Sequence, residues 1–400
     1  MQIRFFIIFL LCFISCSKFE TEEIDYNAMV NALLMRYKSP EDSIKAFEAG
    51  KTLSNEITNA LTDFTKDGDL MVHVSTFCII EDVVYMTYYA NRIEASETPS
   101  QHIARFVKCS LSEIDKKEFF DLQGAVGSGL SSSHTSFDGK TVTELYDTIL
   151  MCVDNRHIFL MWTAALDGLY TRLFQIFDTK TGEFGPISYN YFTLGNTSSV
   201  MDVKGVEWVL RQNRVTHRPL SIDLGIMQKV TSRREGKDVY YYTGCYANRF
   251  NCIIKSKDLV TWEYVSSPDF PCVPQFENTV YVKNDRAYYF CRQEKSEEVA
   301  FLSFFDLEEK KWSNPVFIND SQSRNDFFEY MGYLYAFHAP YNRNHIAITA
   351  INTSKLSDSH ELKVAEVPNC FYPYSFEYKG EMYISYTKDR QHIYLSKFTI

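Results

Sequence analysis

The chain has 400 residues, of which 45% are hydrophobic, and it carries a formal net charge of −10. An acidic chain repels a phosphate backbone, so the charge argues against a nucleic-acid partner. Aromatic residues make up 16% of the sequence, with 27 tyrosines, a composition that suits both packed strands and the stacking of sugar rings.

The first 16 residues have the pattern of an export signal. One arginine precedes an apolar run from Phe5 to Ile14, and Ser15 and Cys16 follow it. The run is too short to span a bilayer. Phe-Ile-Ser-Cys resembles a bacterial lipoprotein box, in which Cys16 is lipidated. We therefore predict export and a lipid anchor in the outer membrane or cell surface of a Gram-negative bacterium. The alternative is an ordinary cleaved signal peptide.

Residues 17–65 are predicted to form a tether with short N-terminal helices. Ser39 as N-cap and Pro40 in the first turn predict a helix that ends near Gly50, and a second helix is predicted over residues 54–64. No Pro-rich or Ser-rich linker follows. We therefore predict one further domain, residues 66–400.

Within that domain a short pattern recurs seven times. A turn is followed by a strand that carries a large aliphatic or aromatic residue, and the spacings between these residues are 73, 50, 32, 48, 47 and 48. All-strand repeats of about 40–50 residues are typical of a β-propeller. The fold prediction is an all-β, seven-bladed β-propeller. The seven anchor residues are Tyr85, Ile158, Trp208, Tyr240, Tyr288, Tyr335 and Tyr383. We expect a strand near residues 70–76 to complete the last blade.

The cysteines and the short motifs narrow the chemistry. Cys152 and Cys291 lie in apolar strand runs, where a buried free thiol is expected. The sequence has no Cys-x-x-Cys pair, no paired histidines at metal-ligand spacing, and no phosphate-binding loop or nucleophile elbow. We predict no cofactor and leave a structural metal open.

The propeller topology sorts residues by end. The upper end of a blade carries the end of its second strand and the start of its first strand. Polar and cationic side chains cluster at these positions, a pattern that suits a polyanionic ligand with sugar-like faces. The predicted substrate-binding residues are Arg92, Tyr146, Arg249, Arg292, His338 and Arg343. The ends of second strands also include Arg211, Arg214 and Tyr246, and the starts of first strands add His134, Glu277, Asn278, Arg324 and Tyr374.

Parts of the sequence resemble known carbohydrate-active propellers. The segments 84–105, 134–150 and 170–178 resemble secreted seven-bladed polysaccharide lyases of the ulvan-lyase type, and related propellers include rhamnosidases. The hairpin 256–262 resembles the Asp-box of sialidases, with Val260 in place of the box glycine.

The resemblance implies β-elimination next to a uronic acid. It assigns His134 as acid or base, Tyr246 as its partner, and Arg211 or Arg214 as the carboxylate clamp. The predicted function is a polysaccharide lyase that acts on an acidic polysaccharide or oligosaccharide. The alternatives are a glycoside hydrolase, which needs two opposed carboxylates, and a non-catalytic glycan-binding lipoprotein. We expect a monomer that meets the membrane only through its lipid anchor.

Overall fold

The computed structural model describes residues 51–52, 62–219, 223–227, 229–247, 250–268, 274–293, 299–319, 321, 324–340 and 342–399. The predicted signal peptide, the lipidation at Cys16 and the helix predicted after Ser39 all lie outside these residues. Within them, no helix is long and apolar enough to cross a membrane.

Nearly all regular structure in these residues is β-strand, as predicted. The strands are β1 (Lys51–Thr52), β2 (Thr62–Asp63), β3 (Met71–Ile80), β4 (Val83–Asn91), β5 (Ile103–Ser110), β6 (Glu118–Gly124), β7 (Ser136–Phe137), β8 (Lys140–Cys152), β9 (His157–Leu166), β10 (Leu169–Asp178), β11 (Glu183–Phe184), β12 (Ser188–Tyr189), β13 (Tyr191–Leu194), β14 (Thr197–Val200), β15 (Leu224–Ile226), β16 (Thr231–Glu235), β17 (Asp238–Ala247), β18 (Phe250–Ser256), β19 (Thr261–Ser266), β20 (Pro274–Lys283), β21 (Arg286–Gln293), β22 (Val299–Asp306), β23 (Lys311–Trp312), β24 (Val316–Asn319), β25 (Asp326–Tyr330), β26 (Tyr333–His338), β27 (Ile346–Ile351), β28 (His360–Ala365), β29 (Cys370–Tyr378), β30 (Glu381–Lys388) and β31 (His392–Phe398). The one α-helix described is α1 (Val203–Gln212).

These strands form six sheets that follow one another along the chain. Sheet 1 contains β3–β6, sheet 2 contains β7–β12, sheet 3 contains β13–β19, sheet 4 contains β20–β24, sheet 5 contains β25–β28 with β1, and sheet 6 contains β29–β31 with β2. The first long strand of each sheet contacts the neighbouring sheet, and β29 of sheet 6 contacts β3 of sheet 1. The contacts therefore close a ring.

The core lies between the sheets. Six clusters of buried apolar side chains are described, and each joins two sheets that are neighbours in the ring. Phe106 and Trp162 belong to the cluster between sheets 1 and 2, for example. A single sheet cannot bury its own apolar faces, so each sheet needs a neighbour on either side. This need is met when the sheets close into a ring.

Six of the seven predicted anchors lie in strands, one anchor in each sheet, namely in β4, β9, β17, β21, β26 and β30. The seventh prediction is wrong, because Trp208 lies in α1 rather than in a strand. The Asp202 side chain caps this helix by accepting a hydrogen bond from the Gly205 amide, and Val206, Val209 and Leu210 bury one face. A count of seven blades is therefore not confirmed.

The closing strand also differs from the prediction. Residues 71–80 form β3, which starts sheet 1, whereas β2 pairs with β31 in sheet 6. Phe64 continues this edge, since its amide donates to the Ile393 carbonyl at 2.7 Å. Thr62–Phe64 thus lie outside any helix, against the helix predicted over residues 54–64. Residues 53–61 lie outside the described structure.

The closure generates a stability prediction. Phe64 is fully buried against β31 and sheet 1, so Phe64→Ala leaves a cavity at the point where the ring closes. We expect the free energy of unfolding to fall by about 3–5 kcal/mol in urea titrations. Leu70→Ala is the matched control, because Leu70 is 44% exposed and its truncation leaves no cavity. Equal losses in both variants would contradict the assigned closure.

Candidate active site

A cavity of about 340 Å³ lies on the axis of the ring, where the first strands begin. Its volume falls in the usual range for small-molecule sites. Five of the six sheets contribute side chains to it. Among the lining residues are Val74, Tyr89, His102, Glu144, Tyr146, Asp147, Tyr170, Asp223, Tyr246, Glu277, Arg292, Arg324 and Tyr372. The cavity therefore lies at the end of the ring where the first strands start, which is the upper end as defined above.

Irregularities in four first strands build the cavity wall. The strand register shifts between His73 and Thr76 in β3, and comparable shifts occur in β8, β20 and β29. Val74, Asp147 and Tyr372 stand in these irregularities with φ values of 57°, 54° and 54°. Such left-handed backbone is uncommon for residues other than glycine and re-aims a side chain. All three residues line the cavity.

One wall joins a tyrosine, a carboxylate and an arginine. Tyr372 Oη donates a hydrogen bond to Glu277 Oε1 at 2.5 Å, and Arg292 Nη1 donates to Glu277 Oε2 at 2.5 Å. Burial opposes ionisation of Glu277, but the charges of Arg292 and Arg324 and the hydrogen bond from Tyr372 outweigh it and lower the pKa of Glu277. Glu277 is therefore an ionised acceptor beside the Tyr372 hydroxyl.

His73 packs against the ring of Tyr372. The imidazole stacks on the Tyr372 ring at 4.5 Å between centroids with an interplanar angle of 18°, and its Nδ1 lies 3.2 Å from Thr387 Oγ1. Burial and the charge of Arg390 lower the pKa of His73 well below its usual value. The His73 imidazole that stacks on Tyr372 is therefore neutral. Burial and the Glu277 charge in turn raise the pKa of Tyr372, which keeps its phenol protonated.

Two arginines share Asp147 at the base of the cavity. Arg324 Nη2 lies 2.6 Å from Asp147 Oδ1, and Arg172 Nη1 lies 3.0 Å from Asp147 Oδ2. All three side chains are at least 97% buried. Arg324 precedes β25 of sheet 5 by two residues and Asp147 lies in β8 of sheet 2, so this ion pair crosses the axis. Arg324 Nη2 also lies 4.0 Å from Glu277 Oε1, so the same guanidinium group interacts with both carboxylates.

The opposite wall carries two tyrosine–carboxylate pairs. Tyr146 Oη donates to Asp223 Oδ1 at 2.8 Å, and Tyr170 Oη donates to Glu144 Oε2 at 2.5 Å. Burial raises the pKa of Asp223 despite the hydrogen bond from Tyr146, and the Glu144 charge adds to the rise. Burial therefore favours the protonated form of Asp223.

Several predicted site residues meet at this cavity. Tyr146, Tyr246 and Arg292 line it. Arg343 lies close by, where its charge acts on Arg292 and Glu277 and its guanidinium carbon is 5.4 Å from the centre of the Phe371 ring. Arg292 and Arg343 thus converge at one end of the ring.

Other predicted site residues do not line the cavity. His134 is exposed in a turn, with Nδ1 3.0 Å from Ser131 Oγ. Arg211 is 56% exposed on α1 and pairs with Glu207, and Arg214 is exposed just beyond that helix. Because the segment predicted to be a blade strand is a helix, neither arginine reaches the axis.

Of the three remaining predicted site residues, two have structural partners and one lies outside the described residues. Arg92 donates to the backbone carbonyls of Ser128 and Gly129, which makes it a loop brace. His338 is buried against Thr349, and burial lowers its pKa to about 3. Arg249 lies outside the described residues.

Sequence reasoning did not identify four of the site residues, namely Tyr372, Asp147, Asp223 and Glu144. Tyr372 and Asp147 face the cavity because of backbone irregularities, and a regular alternation of side chains does not reveal these. The nearest signal was the cluster of polar strand starts, which includes Glu277 and Arg324. Among the described residues, no group of three or more His, Cys, Asp or Glu side chains is arranged to hold a metal ion.

Comparison with known proteins identifies the fold alone. No family model matches the sequence, and no significant relative was found among curated proteins. Similar solved structures include a Hadza microbial sialidase (TM-score 0.53, 12% identity, 84% of this chain and 66% of that one) and the Trypanosoma rangeli sialidase with the inhibitor DANA (0.51, 12%, 88% and 59%). The leech intramolecular trans-sialidase with 2,7-anhydro-Neu5Ac is also similar (0.52, 12%, 88% and 70%).

This chain therefore shares the β-propeller fold of these three proteins. It spans less than two thirds of the length of the Hadza and Trypanosoma rangeli proteins.

Gly225 offers a test of how tightly the cavity wall is packed. A β-carbon at this position would overlap the Tyr246 ring and approach Asp147 Oδ2 to 2.5 Å. We expect Gly225→Ala to lower the free energy of unfolding by about 1–3 kcal/mol and to weaken ligand binding in the cavity. Gly185→Ala is the control, because its β-carbon would meet only the Ile176 carbonyl at 3.5 Å. Unchanged stability in Gly225→Ala would contradict the described packing.

Proposed function

We propose that this protein is a glycoside hydrolase that cleaves a sugar bearing a carboxylate, with Tyr372 as nucleophile and Glu277 as its general base. The observation that carries the proposal is the 2.5 Å hydrogen bond from Tyr372 to Glu277 in a cavity that Arg292 and Arg324 also line. A nucleophile beside a base that is itself held by a third group is the usual arrangement in covalent catalysis. Arg292 is that third group.

The arginines favour an anionic substrate. A guanidinium group presents parallel N–H donors that match both oxygens of a carboxylate. An anionic sugar also explains a tyrosine nucleophile, because an ionised carboxylate would be repelled by the carboxylate of the substrate. Tyr372 attacks as a neutral phenol and passes its proton to Glu277. Tyrosine nucleophiles are a known exception to the two-carboxylate rule of glycosidases.

Asp223 is the proposed proton donor to the leaving group. Its raised pKa keeps it protonated over a wider pH range than an exposed aspartate. Asp223 precedes β15 of sheet 3, whereas Tyr372 lies in β29 of sheet 6 on the other side of the ring, so a sugar bound between them has the nucleophile on one side and the acid on the other. Departure of the leaving group with the Asp223 proton leaves a glycosyl–tyrosine intermediate, which water then hydrolyses with net retention.

Sialic acid glycosides are the first substrate class to test, and uronic-acid glycans are the second. The similar structures named above are sialidases and a trans-sialidase, whereas the sequence resemblance implied elimination from a uronate. The base that the resemblance implied, His134, lies outside the cavity, and this favours hydrolysis over elimination. The anchor predicted at Cys16 would present the enzyme to glycans outside the cell.

Substitutions of the proposed pair test the proposal. We expect Tyr372→Phe and Glu277→Gln to reduce kcat on an anionic glycoside by on the order of 10²–10⁴-fold, because the nucleophile or its base is lost. Tyr333→Phe is the control, since Tyr333 is exposed on a distant hairpin. Digestions are read both as reducing ends and as absorbance near 235 nm. A rise in absorbance at 235 nm would indicate elimination and would contradict the hydrolase proposal.

The two carboxyl groups predict a bell-shaped pH profile. Activity needs ionised Glu277, whose pKa is lowered, and protonated Asp223, whose pKa is raised. Activity therefore falls as the pH drops through the Glu277 pKa, and it falls again as the pH rises through the Asp223 pKa. With a substrate whose leaving group needs a proton, we expect Asp223→Asn to lose the alkaline limb together with most of kcat, whereas with a leaving group that needs no proton its kcat should stay near that of the wild-type protein. An unchanged alkaline limb would remove Asp223 from the role of acid.

A further inference from the structure

A second cavity, of about 250 Å³, lies at the opposite end of the axis. The far ends of the first strands line it, among them Phe77 and Cys78 of β3 and Leu150 and Cys152 of β8. Both cysteines are free thiols. They belong to neighbouring sheets and are 74 residues apart in sequence.

The backbone brings these two thiols together. The Leu150 amide donates to Thr76 Oγ1 at 2.7 Å, which fixes how β3 and β8 lie against each other. Both strands run from the upper cavity to the lower one. Cys78 and Cys152 each follow this contact by two residues, on the same side of their strands. Both side chains accordingly line the same cavity, where each thiol influences the pKa of the other.

We propose that Cys78 and Cys152 form a redox-active pair that oxidises to a disulfide between sheets 1 and 2 in the folded protein. The Cys152 thiolate attacks a disulfide oxidant, such as oxidised glutathione, and releases one thiol. Cys78 then attacks the mixed disulfide and releases the second thiol. Two protein thiols are oxidised and one oxidant disulfide is reduced to two thiols, so atoms and electrons balance.

The order of attack follows from accessibility. Cys78 is 99% buried, whereas Cys152 is partly exposed at the cavity rim. The neighbouring Cys78 thiol also lowers the pKa of Cys152, and burial raises the pKa of Cys78. An oxidant therefore meets the Cys152 sulfur first, and Cys78 is the resolving thiol.

The chain contains a matched internal control. Cys245 and Cys252 are direct partners across β17 and β18, and their thiols also interact, but both residues are fully buried. Neither lines the lower cavity. If proximity alone sufficed, both pairs would oxidise. If access is also needed, the folded protein oxidises at Cys78 and Cys152 while Cys245 and Cys252 stay reduced.

Peptide mapping of the full chain tests this directly. The reduced protein is equilibrated with a series of ratios of oxidised to reduced glutathione, and the remaining thiols are blocked with N-ethylmaleimide. Digestion should yield a linked peptide pair that contains Cys78 and Cys152, and alkylated Cys245 and Cys252. The proposal is overturned if Cys78 and Cys152 remain alkylated across the series, or if Cys152 stops at a glutathione mixed disulfide.

Thermal unfolding gives a second measurement that needs no mapping. The cross-link restricts the unfolded chain over a long loop, so we expect the oxidised protein to melt about 5 °C above the reduced protein. Cys152→Ser should abolish this redox dependence, and Cys252→Ser should retain it. The same melting temperature for the oxidised and reduced wild-type protein would contradict a disulfide that joins the two sheets.

Discussion

The site depends on the burial of Asp147 between two arginines. Removing an ion from water costs several kcal/mol unless partners replace the lost solvent, so Asp147, Arg172 and Arg324 are stable only as a set. Arg172 belongs to the same sheet as Asp147, and Arg324 comes from across the axis. The set therefore fixes two sides of the ring relative to each other. It also fixes Arg324 in the cavity before any ligand binds, which is the preorganisation that catalysis by charge requires.

The same site concentrates backbone strain. Val74, Asp147 and Tyr372 adopt left-handed backbone, at a cost of roughly 1–3 kcal/mol each. The six apolar clusters between the sheets supply the stability that offsets this cost. In return, side chains that a regular strand would turn into the inter-sheet core face the axis instead. Tyr372 thereby reaches Glu277 of a different sheet.

The repeat pattern predicted most of the architecture, because one strand in each sheet carries a large anchor residue shortly after a tight turn. The pattern failed at Trp208, where the alternation in VEWVL resembles a strand, although Asp202 as N-cap and the spacing of Val206, Val209 and Leu210 also indicate a helix. Sorting residues by strand end found Tyr146, Tyr246, Glu277, Arg292 and Arg324. It missed Tyr372, since a shift in register is a property of paired strands and leaves no mark in one strand's sequence. The same sorting also placed His134, Arg211 and Arg214 at the upper end, where the resemblance then gave them roles, and this was wrong because their backbone lies elsewhere.

Mass spectrometry of a trapped intermediate tests the central claim most directly. Fluorine next to the anomeric carbon destabilises the positively charged transition state, so an activated fluoro-glycoside of a sialic or uronic acid should load the enzyme faster than water releases it. The account predicts one sugar residue on the peptide that contains Tyr372, localised to that side chain and absent in Tyr372→Phe. Attachment of the sugar to Glu144, Asp223 or another residue, or turnover of the fluoro-glycoside by Tyr372→Phe, would contradict it.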